Sequence, residues 1–465
     1  RHFYYWRTEG RTNAFPLLFT PSPKSEPSAN EASMIRDLSR RHFLGMACTG
    51  LATALWSRSL ALPLMHAASS NWGDPRSTRS RVFADLHAHP RLNDWIAASG
   101  LAQIIPGLAG AAKAAMNETS VDWKRCHQAG IDMICVAHFN PLDEFATMPN
   151  DPNPDAPRQT IRLLDDLESE IYDRQGRYAR IVRSKDELMD CTSVRPPDGD
   201  YRIAVVHCIE GAHALGYDTS VIPQLAARGV AMVGVTHFFT KGLASSANSI
   251  PFFPDAGGSD PNVGLMPKGI EVVKALQANG ILVDIAHATA TTVQDILDNT
   301  VGPIIASHVS SAALGYHPYS LRDEHALKIR DRCGIIGVIL MPYWLNNYAS
   351  MDLAAHQGGL RDVVRTVRYL YKLCGTHKCI GIGSDFAGYI TGPRDMKHLH
   401  DIARLAVLLR EEFADEENPD QIVEDIMAGN VLRCFRENWG VKRFVSPGRK
   451  NTPNPPERDC NDSPK

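Results

Sequence analysis

From residue 82 the chain alternates between short, almost wholly apolar runs and longer stretches with helical spacing. Eight runs stand out: Val82–Leu86, Ile131–Ala137, Ile203–Ile209, Val230–Thr236, Ile281–Ala286, Pro303–Ser307, Ile335–Met341 and Cys379–Ser384. Continuous apolar runs, as opposed to strict alternation, mark parallel strands covered on both faces. Helical segments fit between most of them, as at Gly269–Asn279 and Leu321–Arg332. One further β-like piece, Ala179–Val182, is short and stays outside the count. Eight strands alternating with helices predict an α/β fold, a (β/α)8 TIM-type barrel with loop insertions. An open doubly wound sheet is the alternative, but no G-x-G-x-x-G follows the first run.

The two ends lack this pattern. Residues 1–33 have no consistent periodicity and are expected to be upstream or disordered leader, with Met34 the expected start. From Met34, Arg40 and Arg41 precede a mostly apolar run ending at Trp56, and Ala67, Ala68 and Ser69 follow as small residues. A basic segment, a short apolar segment and a small-residue exit describe a bacterial export signal, and the paired arginines give it the twin-arginine form. Residues 34–70 are read as that signal, so the expected location is periplasmic or secreted. The apolar run is shorter than the roughly 20 residues needed to cross a bilayer, so no stable membrane insertion is expected. Residues 71–445 form the expected catalytic domain. Residues 446–465, rich in Pro, Asn and charge, are expected to be a disordered tail.

Composition narrows the class. Lys+Arg 49 against Asp+Glu 52 gives the 465-residue chain a net charge of −3, without the basic excess that nucleic-acid binding needs. Hydrophobic residues at 44% suffice for a large core. Ten cysteines with no C-x-x-C spacing argue against both a disulfide scaffold and a zinc ribbon.

The chemistry lies where the strands end. The first ends in D-L-H-A-H-P (His87, His89), the third in C-I-E-G (Glu210) and the fourth in V-T-H (His237). The fifth ends in D-I-A-H (His287), the sixth in A-S-H (His308) and the eighth in G-S-D-F (Asp385). Barrel enzymes carry their catalytic groups at these C-terminal ends. The two histidines of H-x-H on a strand face the same side, as two ligands to one metal must. Glu210 follows a largely apolar run, and a buried carboxylate is costly unless a metal or an arginine meets it. His138 and His213 are expected to stay outside the ligand set, and His317, His325, His377, His398 and His400 to be solvated.

These residues and spacings resemble the membrane (renal-type) dipeptidases, zinc peptidases of the amidohydrolase superfamily. The resemblance runs from Val82 to Trp439 through D-L-H-A-H-P, I-E-G-A-H-A-L, V-T-H, G-L-M-P-K-G, D-I-A-H, S-H-V-S-S-A, G-I-G-S-D-F-A-G and A-G-N-V-L-R-C-F. It implies a binuclear metal site at the C-terminal ends of the barrel strands. His87 and His89 would hold the first zinc, His287 and His308 the second, and Glu210 would bridge both. His237 would face the substrate, Asp385 would shuttle the proton, and Arg322, in L-R-D-E, would bind the substrate's carboxylate. Two zinc ions are the implied cofactors, with manganese, cobalt or nickel compatible with the same imidazole and carboxylate donors.

The implied reaction is hydrolysis of a dipeptide with a free carboxylate by a hydroxide shared between the metals. A homodimer is an expected assembly. Two departures bear on substrate preference: the family usually has aspartate where this chain has His89, and again where it has Ala387. The match at Arg322 also needs a short insertion after His308. Another binuclear amidohydrolase (an N-acyl-amino-acid hydrolase, lactonase or phosphotriesterase) and an exported, non-catalytic metal- or peptide-binding protein are the alternative readings.

Overall fold

The structure, a computed structural model, describes residues 82–92, 119–140, 144, 153–193, 201–247, 259–315, 317–346, 358–388 and 390–445. The expected leader, export signal and tail lie outside these residues. Among the described residues there are nine parallel strands: β1 (Ala84–Ala88), β2 (Met133–His138), β3 (Ala179–Val182), β4 (Ile203–Ile209), β5 (Val230–Gly234), β6 (Leu282–Asp284), β7 (Ile305–Val309), β8 (Ile335–Ile339) and β9 (Ile380–Gly383). Eight of them close a barrel in the order β1-β2-β4-β5-β6-β7-β8-β9, with β9 returning to β1. The fold is the (β/α)8 barrel. Ala179–Val182 is the ninth strand: β3 pairs only with the first half of β4, and β5 pairs with β4 from His207 onward.

Strand boundaries shift from those of the apolar runs in ways that matter for chemistry. β1 starts two residues later than expected and so contains His87, and β7 does the same and contains His308. β6 is cut to three residues, because the backbone beyond Asp284 turns and reaches a positive φ at His287.

Successive strand residues go to different apolar clusters, as a period of two requires. Met133, Cys135, Val206 and Ile335 pack with Val431, Leu432 and Phe435 of the helix Asn430–Asn438 and with Trp439 just after it. Their neighbours Ile134, Val136, Val205 and Ile336 join the larger cluster with the surrounding helices. Asn430 donates to the carbonyls of His377 and Ile380 at the start of β9, which sets this helix beneath the N-terminal ends of the strands. The opposite end of the barrel is left for the site. There β8 and β9 approach β7 closely: a Cβ on Gly337 or Gly383 would lie 2.0 or 1.9 Å from the Ser307 carbonyl oxygen. Glycine is what lets both strands crowd the residue before His308. No helix among the described residues is long and apolar enough to cross a membrane.

Candidate metal centre

The C-terminal ends of five strands bring one carboxylate among five imidazoles, every one of these residues buried. Glu210 stands at the end of β4. Its Oε1 lies 3.2 Å from His87 Nε2, 3.3 Å from His287 Nε2 and 3.5 Å from His308 Nε2. Its Oε2 lies 3.3 Å from His89 Nε2 and 3.5 Å from His237 Nε2. Within the pairs, His87 and His89 present their Nε2 atoms 3.0 Å apart, and His287 and His308 do the same at 3.0 Å. Asp385, two residues past β9, places Oδ1 3.3 Å from His89 Nε2 and 3.9 Å from His87 Nε2.

These spacings fit divalent metals. Four donors at 2.0–2.1 Å around a tetrahedral ion stand about 3.4 Å from one another, and the donor separations here are 3.0–3.5 Å. Glu210 lies within 3.5 Å of both histidine pairs, Oε1 reaching His87, His287 and His308 and Oε2 reaching His89, so the residues present could hold two ions. His87, His89 and Glu210 form one ligand-sized cluster, and Glu210, His237 and His287 form another. His87 and His308 also come within reach of the Asp284 carboxylate.

Two buried aspartates lock the frame. On β1, Asp85 accepts from Ser384 Oγ at 2.5 Å, from Ser384 N at 2.8 Å and from His87 N at 3.2 Å. On β6, Asp284 accepts from Ser307 Oγ at 2.6 Å, from Ser307 N at 2.9 Å and from Ala286 N at 3.1 Å. Each therefore clasps the serine immediately before a site residue on the neighbouring strand, Asp385 in one case and His308 in the other. Burial raises the pKa of both carboxyls, that of Asp85 to about 6, while their hydrogen bonds work to lower it. The backbone is left-handed at His287 (φ 63°) and Asp385 (φ 58°). Such conformations cost about 1–3 kcal/mol in a residue with a side chain and persist where the surroundings over-determine them.

The charges are mutually dependent. Burial alone would raise the Glu210 carboxyl, but His237, His87 and His89 hold it well below the usual carboxylate range. Burial, then the nearby His87 and His287, pushes His308 well below an ordinary histidine, and burial and His237 lower His287. At His87 burial is outweighed by Glu210 and Asp385, and its pKa rises to about 9.

A sequence profile of the membrane dipeptidases, peptidase family M19, matches residues 89–444. The chain belongs to this family. It is 30% identical over 245 residues to the dipeptidase aclJ of Aspergillus oryzae, covering 53% of this chain and 54% of that protein. It is 28% identical over 236 residues to an uncharacterized dipeptidase of Schizosaccharomyces pombe, covering 51% and 53% respectively. The match thus spans about half the length of these curated relatives. In fold it is similar to a metallo peptidase from Rhodobacter sphaeroides solved with a phosphinate mimic of the dipeptide L-Ala-D-Ala. The TM-score is 0.60 at 17% identity, over 78% of this chain and 100% of that one.

In this family member, one buried residue escapes the strand-end pattern. Glu144 accepts from His237 Nδ1 at 2.6 Å and from Phe239 N at 3.0 Å, which fixes the His237 ring and turns Nε2 to the centre. Burial would raise the Glu144 carboxyl, yet His237 holds it below its ordinary value; burial lowers His237, and Glu210 and Glu144 more than offset that. Glu144 falls in the sequence N-P-L-D-E-F, where no periodicity sets it apart from Asp143.

The other candidates separate clearly. His138 turns to His207 at 2.8 Å, and the His213 ring lies over Gly211, whose added Cβ would meet its Cε1 at 2.3 Å. Gly211 also has φ 86°, so both space and backbone require glycine beside Glu210. Arg322 caps the helix Asp323–Asp331; its side chain is half exposed, 3.8 Å from Glu324. The strip before it is tied to the end of β7 through Leu321 N and the Ser310 carbonyl, which keeps Arg322 on the site's end of the barrel. His325 is not solvated as expected: it is buried in that helix, and burial lowers its pKa to about 4. His377 likewise pairs with Asp425 at 2.9 Å. Cys374 and Cys379, the cysteines closest in sequence, are free thiols.

Proposed function

We propose that the protein is an exported zinc dipeptidase acting on dipeptides with a free C-terminal carboxylate. The observation that carries this reading is Glu210, whose two oxygens reach a histidine pair on either side in a chain of the membrane dipeptidase family. When bound, two divalent ions supply an activated water near neutral pH and polarise the scissile carbonyl. The protein's own groups do the rest. His237, held through Nδ1 by Glu144, offers Nε2 to the carbonyl oxygen as charge develops there. Asp385 accepts the proton of the attacking water and delivers it to the leaving amine, a task open to a carboxylate at hydrogen-bonding distance from the centre. Arg322 meets the substrate's carboxylate with its planar fork.

His89 in place of a carboxylate favours a second reading, another binuclear amidohydrolase. Turnover of free and C-terminally amidated dipeptides, an N-acyl amino acid, a lactone and a phosphotriester, with metal analysis of the same preparation, separates the two. Preference for free dipeptides with two zinc ions per chain is expected; faster turnover of the lactone or phosphotriester would replace the dipeptidase reading. On the same panel Arg322→Met is expected to lower kcat/KM for free dipeptides about 10- to 100-fold, the worth of a charge-assisted bidentate contact, and to spare amidated ones. Equal losses on both would remove Arg322 from the site.

Export rests on the Arg40–Arg41 signal. Protein recovered from the periplasm is expected to begin near Ala67 to Ser70; a mature chain that keeps Arg40–Arg41 would overturn the export reading.

A further inference from the structure

The two halves of the centre are supported differently behind their donors. His308 Nδ1 meets Ser307 Oγ at 2.8 Å, and that hydroxyl donates to Asp284 Oδ2 at 2.6 Å. The relay fixes the proton of His308 on Nδ1, so the lone pair of Nε2 faces the centre. Asp284 is itself held by two backbone amides, and the Tyr319 hydroxyl donates to the His308 carbonyl. This ring has one orientation and one tautomer before any ligand arrives.

The other half has no such backing. His87 Nδ1 and His89 Nδ1 are both buried and have no hydrogen-bond partner among the described residues. An imidazole that gives Nε2 to a metal keeps its proton on Nδ1, and here that proton meets no acceptor among the described residues. The space adjoining His89 is a cavity of about 30 Å³ bordered by Arg91, Leu92, His138 and Phe139. Asp166 also lines it, and it has room for a water, yet no carboxylate among the described residues hydrogen-bonds to His89 Nδ1. Outer partners of ligating histidines are typically worth 10- to 100-fold in metal affinity.

We propose that the centre loads unequally, with a tight position at Glu210, His287 and His308 and a labile one at His87, His89 and Glu210. At limiting metal the protein then holds one ion, and the second enters only as free metal rises. The inference rests on the binuclear reading above and adds an order of filling to it.

The test is titration of the metal-free full chain with Zn²⁺ against a competing chelator at fixed pH, with bound metal counted by mass spectrometry and folding followed by circular dichroism. Two steps separated by at least about tenfold are expected. His87→Ala should keep the tight step and lose the weak one, and His308→Ala should lose the tight one. His89→Asp should strengthen the weak step, and Ser307→Ala should weaken the tight step about tenfold while leaving the ligands in place. Two ions bound with equal affinity would overturn the proposal, as would a tight step that survives in His308→Ala and disappears in His87→Ala. A wild-type chain that is folded and binds no metal would instead overturn the binuclear reading itself.

Discussion

Glu210→Gln is expected to empty both metal positions and to lower kcat/KM at least about a thousandfold. Among the described residues Glu210 alone has its carboxylate oxygens within 3.5 Å of all four of His87, His89, His287 and His308. Glutamine keeps the shape but removes the negative charge, and it turns an amide N–H₂ toward imidazole nitrogens that need to present lone pairs. Each position then has neutral ligands only. The activated water and the polarised carbonyl disappear together, a loss of several kcal/mol at about 1.4 kcal/mol per tenfold. The frame should survive, since the Asp85 and Asp284 clasps do not involve Glu210. Metal analysis, circular dichroism and turnover on one preparation decide the matter. A folded Glu210→Gln protein that retains two ions would show that Glu210 is not the bridge.

Asp385→Asn is expected to do the reverse: metal stays and turnover falls about 10²- to 10⁴-fold, the usual worth of a positioned acid–base group. Asparagine tolerates the left-handed backbone at this position better than most residues, so the change tests chemistry and leaves the turn intact. The Ser384–Asp85 clasp that aims the side chain is also untouched. What is lost is the ability to take a proton and return it. A variant that loses its metal, or that keeps turnover within tenfold of the parent, would remove Asp385 from the proton-shuttle role.

The barrel was legible because its strands are buried on both faces and so stand out as apolar runs, and because H-x-H, C-I-E, I-A-H and A-S-H sit at their ends. The limits of legibility are equally physical. β3 carries the same kind of residues as a barrel strand, and only pairing shows that it borders half of β4 and stands outside the closed ring. Asp85 and Asp284 lie inside the quoted motifs, but their work depends on cross-strand register, which pairs each with an isoleucine two residues before the serine it grasps. Glu144 is the extreme case. Its partner His237 is 93 residues away, and a stretch of sequence without periodicity marks no residue as buried. His325 shows the converse error: a histidine amid charged neighbours in sequence turned inward because its helix presents that face to the core.

Asp85 and Ser384 are 299 residues apart in the chain, and their contact closes the barrel between its first strand and its last. The proposed metal donors are complete once His308 has been synthesised. The proposed proton carrier is not, because Asp385 comes 77 residues later, directly behind the serine that Asp85 must grasp. On the proposed reading, a growing chain that has made every metal donor is still chemically mute. The proposed hydrolytic competence would arrive with the final strand, in the same step that satisfies the buried carboxylate of the first.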